Sequence, residues 1–257
     1  MDQKVAQLPV IAAGSLDDIV SKLAPDAYYQ SPGGRRFLIA ATLLAGVQRG
    51  AKALDAGCGI GPAAVDLAEA FGCRVSAFDN FAPYLTFGRQ LAASRGVGKL
   101  ISFKELDRNQ PLTAYDPISF DVVLGLGLGG GLTDSLPGGL TAGFAAAANW
   151  LRPGGVLICG DLVSPTPPSE LMRAVFGPTL RSETDFLTAL TGAGFDLVFV
   201  ARASRADWDT MRETMTQLRE RSLDLGPPDE THRLQLTEAA QDHPEIAYLN
   251  VVARRQS

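Results

Sequence analysis

Apolar positions recur along the chain at two spacings, and their alternation predicts short buried strands joined by helices. Leu16, Ile19, Val20 and Leu23 fall at helical intervals behind Ser15 and Asp17, which suit a helix start. Pro25 and the run Ser31-Pro32-Gly33-Gly34 break the chain around Tyr28, Tyr29 and Gln30. Phe37, Ala40, Ala41, Leu44 and Val47 then mark a second helix ending near Gly50. The apolar stretch 51–56 stops at a glycine cluster, and Val65, Ala68 and Phe71 resume a helical face, giving strand, glycine turn and helix. Further on, 74–78, 100–103, 120–126 and 156–159 read as strands. Helices are predicted over 83–95 and 140–151, the latter closed by Pro153-Gly154-Gly155.

Continuous apolar strands separated by helices are the pattern of a parallel sheet covered on both faces, because each parallel crossover needs a helix. Past Asp161 the regularity changes. A proline-rich stretch over 164–169 precedes an inserted helix over 170–176, as a lid would. A helix over 185–190, a strand over 195–200 and a charged amphipathic helix over 206–222 follow, the last ended by Gly226-Pro227-Pro228. A weaker helix over 234–240 and a final strand over 246–253 complete the chain, and no segment repeats another.

Composition narrows the classes of function. With 257 residues, 46% hydrophobic and 20% charged, the chain has the make-up of an ordinary globular protein with one substantial core. A formal charge of -5 argues against a nucleic-acid partner, since phosphate binding relies on clustered Lys and Arg. No apolar run reaches the length of a membrane span, and the N-terminus lacks a secretory pattern, so a cytoplasmic location is expected. Cys58, Cys73 and Cys159 show no metal-type spacing and their odd number suits reduced thiols. With only His232 and His243 besides, no metal site is expected.

The chemistry concentrates in Leu54-Asp55-Ala56-Gly57-Cys58-Gly59-Ile60-Gly61, a strand that ends in an acid and runs into three glycines spaced two apart. Glycines there let the backbone approach a ligand at the carboxyl edge of the sheet. The dinucleotide fingerprint G-x-G-x-x-G would need its third glycine where Pro62 stands. Asp55 would repel a pyrophosphate but suits a cationic amino-acid tail. The second strand ends at Asp79, where an acid can bind both hydroxyls of a ribose. Adenosine carrying a charged amino-acid tail describes S-adenosyl-L-methionine.

On these residues the chain resembles the class I, Rossmann-like S-adenosylmethionine-dependent methyltransferases. Asp55 to Gly61 is similar to their first signature and Val75 to Asp79 to their second. Asp107, with Arg108 beside it, resembles the adenine-contacting acid. Ser119-Phe120-Asp121-Val122-Val123 resembles the fourth-strand signature, and Leu151-Arg152-Pro153-Gly154-Gly155 the turn before strand five. The match covers roughly 33–161, with a looser likeness over 184–200 and in the last strand, by count against the expected pattern. The resemblance implies a mostly parallel seven-stranded sheet with helices on both faces, an antiparallel last strand and helical caps. It implies a single methyltransferase domain over 1–257: an N-terminal helical segment (1–50), a cofactor-binding core (51–163) and candidate cap or substrate segments (164–182 and 205–243). Asp55, Gly57, Cys58, Gly59, Gly61, Asp79, Asn80, Asp107, Arg108 and Gly125 are the implied cofactor contacts. The nearest flavour is the small-molecule branch, and the Asn-Pro-Pro-Tyr type of motif used on nucleobases or glutamine is absent.

The acceptor side is less marked. Where that branch carries polar or bulky residues after strand four, this chain has Gly125-Leu126-Gly127-Leu128-Gly129-Gly130-Gly131, without a recognised catalytic side chain. Tyr28, Tyr29, Arg35 and Arg36 precede strand one, in a segment that the resemblance folds over the cofactor. Together with Leu126 and Trp208 they are candidates for acceptor contact, against ordinary packing roles. Tyr28, Tyr29 and His243 are the candidates for a catalytic group, His243 because an imidazole titrates near neutral pH. Cys58 reads as a small apolar filler rather than a nucleophile. Direct in-line methyl transfer to a small molecule is the expected reaction, with a nicotinamide-dependent oxidoreductase and a non-catalytic methyltransferase-like binding protein as rivals.

Overall fold

The computed structural model describes residues 28–106, 114–127, 139–177, 180–220 and 242–257. The predicted helices over 15–23 and 234–240, and residues Asp107, Arg108 and His232, lie outside them.

The chain opens with helix α1 (Gly34–Leu44), then β1 (Lys52–Ala56), α2 (Pro62–Phe71), β2 (Arg74–Asp79), α3 (Ala82–Ser94) and β3 (Ile101–Glu105). β4 (Phe120–Leu126), α4 (Gly139–Trp150) and β5 (Leu151–Ser164) follow. Then come α5 (Glu170–Phe176), β6 (Arg181–Ser182), α6 (Glu183–Gly192), β7 (Phe195–Arg202), α7 (Arg205–Glu220) and β8 (Ala247–Arg255). The main sheet runs in the order β3-β2-β1-β4-β5-β8-β7, with the two-residue β6 paired to β5 off that path. β8 is antiparallel to both neighbours, and the other pairs are parallel. This is the Rossmann-like arrangement expected, with β6 as an eighth, short strand.

Burial on both faces explains why the central strands read as unbroken apolar runs. One face carries Leu38, Ile39, Val65, Leu67, Tyr84 and Leu85 from α1, α2 and α3, joined by Trp208, Met211, Met215 and Leu218 of α7. These α7 positions recur at intervals of three and four, which puts them on one side of the helix. The opposite face is filled by Phe144, Trp150, Phe186 and Leu190 from α4 and α6.

β5 is longer than the predicted strand over 156–159. Leu151 already pairs with Phe120, and the register shifts before Val122 meets Val156, so Pro153-Gly154-Gly155 sits in an irregularity rather than ending the ladder. Gly155 is required there, because a Cβ would stand 2.8 Å from the Arg152 carbonyl oxygen. Among the described residues, no helix is long and apolar enough to cross a membrane.

Candidate functional site

At the carboxyl end of β1 the chain turns through Gly57, Gly59 and Gly61, all at positive φ (68°, 54° and 78°), a conformation that side chains other than glycine rarely adopt. The turn is tied to β2. The Cys58 amide donates to the Phe78 carbonyl (2.9 Å), the Gly59 amide to Asp79 Oδ2 (2.9 Å), and the Phe81 amide to Asp79 Oδ1 (3.0 Å). Asp79 thus holds the loop shape while staying half-buried. Asn80 beside it is exposed. Gly61 caps α2, and its absent side chain makes room for the Phe103 ring, 2.7 Å from where a Cβ would be. Its visible task is close helix packing.

Asp55 lies beneath this turn, 3% exposed, and its Oδ2 has no hydrogen-bond partner. Burial pushes its carboxyl up to about 7, with the Ala64 backbone pulling the other way and the nearby Asp79 adding to the rise. Gln30 reaches over the same turn. Its Oε1 is 3.6 Å from the position of a Cβ on Gly59, and its Nε2 is buried without a partner. A buried acceptor and a buried donor therefore lie at a glycine-lined turn without partners in the protein, an arrangement suited to an amino-acid-bearing nucleoside. Cys58 is buried, and burial drives its thiol well above the usual range, which fits a filler and not a nucleophile.

The segment before β1 folds across this edge, and, unlike Gln30, the polar side chains expected at the acceptor, Tyr29 and Arg35, have partners within the protein. Arg35 donates through Nε (2.9 Å) and Nη2 (3.0 Å) to the two oxygens of Asp66 on α2, and the Tyr29 hydroxyl donates to Asp66 Oδ2 (2.8 Å). Arg95 flanks the same carboxylate at 3.5 Å and also pairs with Glu69. Arg35 and Tyr29, expected at the acceptor, here fasten the covering segment to α2. Tyr28 is buried edge-on against Phe87 at 5.5 Å. Trp208 is buried against Tyr248 at 6.4 Å, a packing position reached from the core side. His243 lies in the turn before β8, where its Nδ1 accepts from the Glu245 amide (3.3 Å). Gly125 and Leu126 end β4 and pair with Cys159 and Gly160 of β5.

Asp66, Gln30, Tyr248 and Asn250 carry polar roles that sequence reasoning missed. Asp66 sits on a helix face that reads as solvent until α1 is placed on it. Asn250 left a trace, as a polar residue interrupting the apolar run of the last strand.

Residues 53–155 match the family model of a methyltransferase domain. Comparison with curated protein sequences returns no match. Among solved structures, the chain resembles a SAM-dependent methyltransferase from Thiobacillus denitrificans in complex with S-adenosyl-L-homocysteine. Identity is 19% and the TM-score 0.68, over 96% of this chain and 100% of that one. Geranyl diphosphate C-methyltransferase from Streptomyces coelicolor, in complex with Mg2+, geranyl diphosphate and S-adenosyl-L-homocysteine, is 16% identical with a TM-score of 0.62. It covers 99% of this chain and 89% of that one. The [4+2]-cyclase SpnF is 18% identical with a TM-score of 0.67, over 86% and 81%. At these identities the likeness carries the fold, and any chemistry has to be argued from the site itself.

Proposed function

We propose that the chain transfers a methyl group from S-adenosyl-L-methionine to a small-molecule acceptor. The carrying observation is the unpartnered Asp55 oxygen beneath the positive-φ glycine turn, with the Asp79 carboxylate one strand over. Asp55 holds the amino-acid end against the glycine-lined backbone of the Gly57 to Gly61 turn, Asp79 the ribose, and the Asp107 to Arg108 segment the adenine. Bound there, the cofactor supplies a methyl group activated for in-line displacement, leaving S-adenosylhomocysteine. The protein's part is alignment and exclusion of water, worth up to roughly 7–11 kcal/mol in favourable cases. The Tyr28 to Arg35 cover, pinned on Asp66, excludes water from one side, and the 164–182 and 205–243 segments are the proposed substrate caps of a single domain spanning 1–257. S-adenosylhomocysteine and geranyl diphosphate in the two structurally similar methyltransferases support a small-molecule reading.

Calorimetric titration with S-adenosylhomocysteine tests this. Wild-type protein should bind it, and Asp79→Ala should bind it tenfold to a hundredfold more weakly, since hydrogen bonds to a charged group contribute about 1.5–3 kcal/mol each. Unchanged affinity removes Asp79 from the site. NADH quenching the protein's fluorescence in preference to S-adenosylhomocysteine would restore the oxidoreductase reading.

A second reading, cofactor binding without methyl transfer, is favoured by the Gly125-Leu126-Gly127 stretch, which offers no reactive side chain, and by the shared fold of a cyclase. Labelled methyl transfer to any member of an acceptor panel excludes it.

A further inference from the structure

A second group of buried polar atoms without partners lies on the same sheet, two strands beyond β4. On β8, the Tyr248 hydroxyl and Asn250 Oδ1 have no hydrogen-bond partner. On β5, Ser164 Oγ has none either. Tyr248 and Ser164 are fully buried, and Asn250 is 4% exposed. The pairing Leu162 to Tyr248 and Gly160 to Asn250 sets all three on one face, the face that also carries Asp55, by the alternation of each strand. Leu126 at the end of β4 pairs with Gly160 in turn, so Asn250 is level with the exit of β4 and roughly 10 Å across the sheet from it.

Glycines let these side chains lie directly against the backbone. A Cβ on Gly160 would stand 2.7 Å from the Tyr248 hydroxyl oxygen, and one on Gly33, in the covering segment, 2.9 Å from Asn250 Nδ2. Ser31 and the backbone at Gly127 flank the Tyr248 hydroxyl without reaching hydrogen-bond geometry. Native interiors pair almost all buried polar groups, so three orphans on one face at the acceptor side of a transferase imply a ligand that pairs them.

Resting on the reading of the chain as a methyltransferase, we propose that Tyr248 and Asn250 form the acceptor's recognition site and hold a neutral hydroxyl group, Tyr248 donating to its oxygen and Asn250 Oδ1 accepting its proton. A hydroxyl satisfies one donor and one acceptor at once. A phosphate or carboxylate would leave Asn250 Oδ1 facing a second acceptor, and it would sit in the field of the buried Asp161 carboxylate, which acts on the Tyr248 hydroxyl. This handle orients the acceptor and leaves open which of its atoms is methylated. The assignment separates this chain from transferases that hold their acceptors by a diphosphate.

Phenol and phenyl phosphate are matched probes, and ligand-observed NMR titrations with S-adenosylhomocysteine present and absent read the site directly. Phenol should bind the wild-type protein, and Tyr248→Phe should weaken it about fivefold, the worth of one neutral hydrogen bond. Affinity for S-adenosylhomocysteine should stay within twofold, and the Tm of the ligand-free variant should hold or rise, because an orphaned hydroxyl has been removed. Equal phenol affinity in the two proteins, no phenol binding, tighter binding of phenyl phosphate, or a Tm lower by several degrees in the variant each overturns the proposal. Loss of S-adenosylhomocysteine binding by the wild type would instead defeat the donor assignment, and the phenol comparison without it would still read Tyr248.

Discussion

At the amino-terminal edge of the sheet, a cavity of about 330 Å³ opens between the α1–β1 loop and the starts of β1, β4 and β5, and its polar groups are engaged with one another. Arg254 donates to the carbonyls of Gly154 (2.8 Å) and Ala45 (3.0 Å), Arg152 pairs with Asp121 (2.7 Å), and the Lys52 amide donates to the same carboxylate (2.7 Å). At the carboxyl edge the reverse holds: Asp55, Gln30, Tyr248, Asn250 and Ser164 each bury a polar atom without a partner. Concavity therefore does not locate the site in this molecule. Unmet hydrogen-bonding capacity gathered at one edge does, since single orphans such as Arg95 Nε, Tyr115 Oη and Trp150 Nε1 also occur elsewhere in the protein.

The sharpest way to break that contrast is to unfasten the cover over the carboxyl edge. Asp66 is 1% exposed and holds Arg35, Tyr29 and Arg95, so Asp66→Ala strands a buried guanidinium. Removing one partner of a buried ion pair costs about 3–5 kcal/mol. Urea denaturation of the variant should show a loss of that size together with weaker S-adenosylhomocysteine binding. A loss below about 1 kcal/mol would mean that the segment is held by other contacts.

The next effect comes from Asp55 and has a definite sign. Its carboxyl keeps a proton up to about 7 in the folded chain, against 3.8 for an ordinary aspartate, so the folded state binds more protons between those values. The contribution of Asp55 to ligand-free stability is thus fully present below about pH 4 and is lost as pH rises through about 7. A cationic amino-acid tail needs the carboxylate, so affinity for S-adenosylhomocysteine should rise by up to about tenfold per pH unit from pH 5 towards 7 and flatten above. In Asp55→Asn both dependences should disappear from calorimetry and thermal melts. An affinity slope that survives in the variant would assign the titration to another group.

These two acids show what the sequence discloses and what it hides. Asp55 was legible because it ends an apolar strand and precedes glycines, a local signature of a strand-to-turn exit, and Asp79 because it ends the next strand. The two are brought together by a short parallel crossover. Phe120–Leu126 is read to the residue because a strand buried on both faces is bounded by its polar neighbours. Asp66 was silent, since a charged residue on a helix reads as surface until α1, 31 residues earlier at Arg35, is docked on it. Tyr248 and Asn250 were silent for a topological reason. β8 follows β7 in sequence but inserts between β5 and β7, so its neighbours at the site are not sequence neighbours. Trp208 and Arg35, read as acceptor contacts, turn inward because packing and ion pairing are satisfied there first.

The smallest expected effect lies at the opposite edge and sharpens the comparison from the other side. Arg254→Ala frees two carbonyls, but both open onto the cavity, where water can replace the guanidinium. The loss should therefore stay near a net hydrogen bond or two, about 1–2 kcal/mol in urea denaturation, well below that of Asp66→Ala. Affinity for S-adenosylhomocysteine should remain within twofold, since β8 carries Arg254 at the end of the strand remote from the glycine turn. A tenfold loss of affinity would show that the two edges communicate through β8, and the division between a self-satisfied edge and a ligand-seeking one would have to be redrawn.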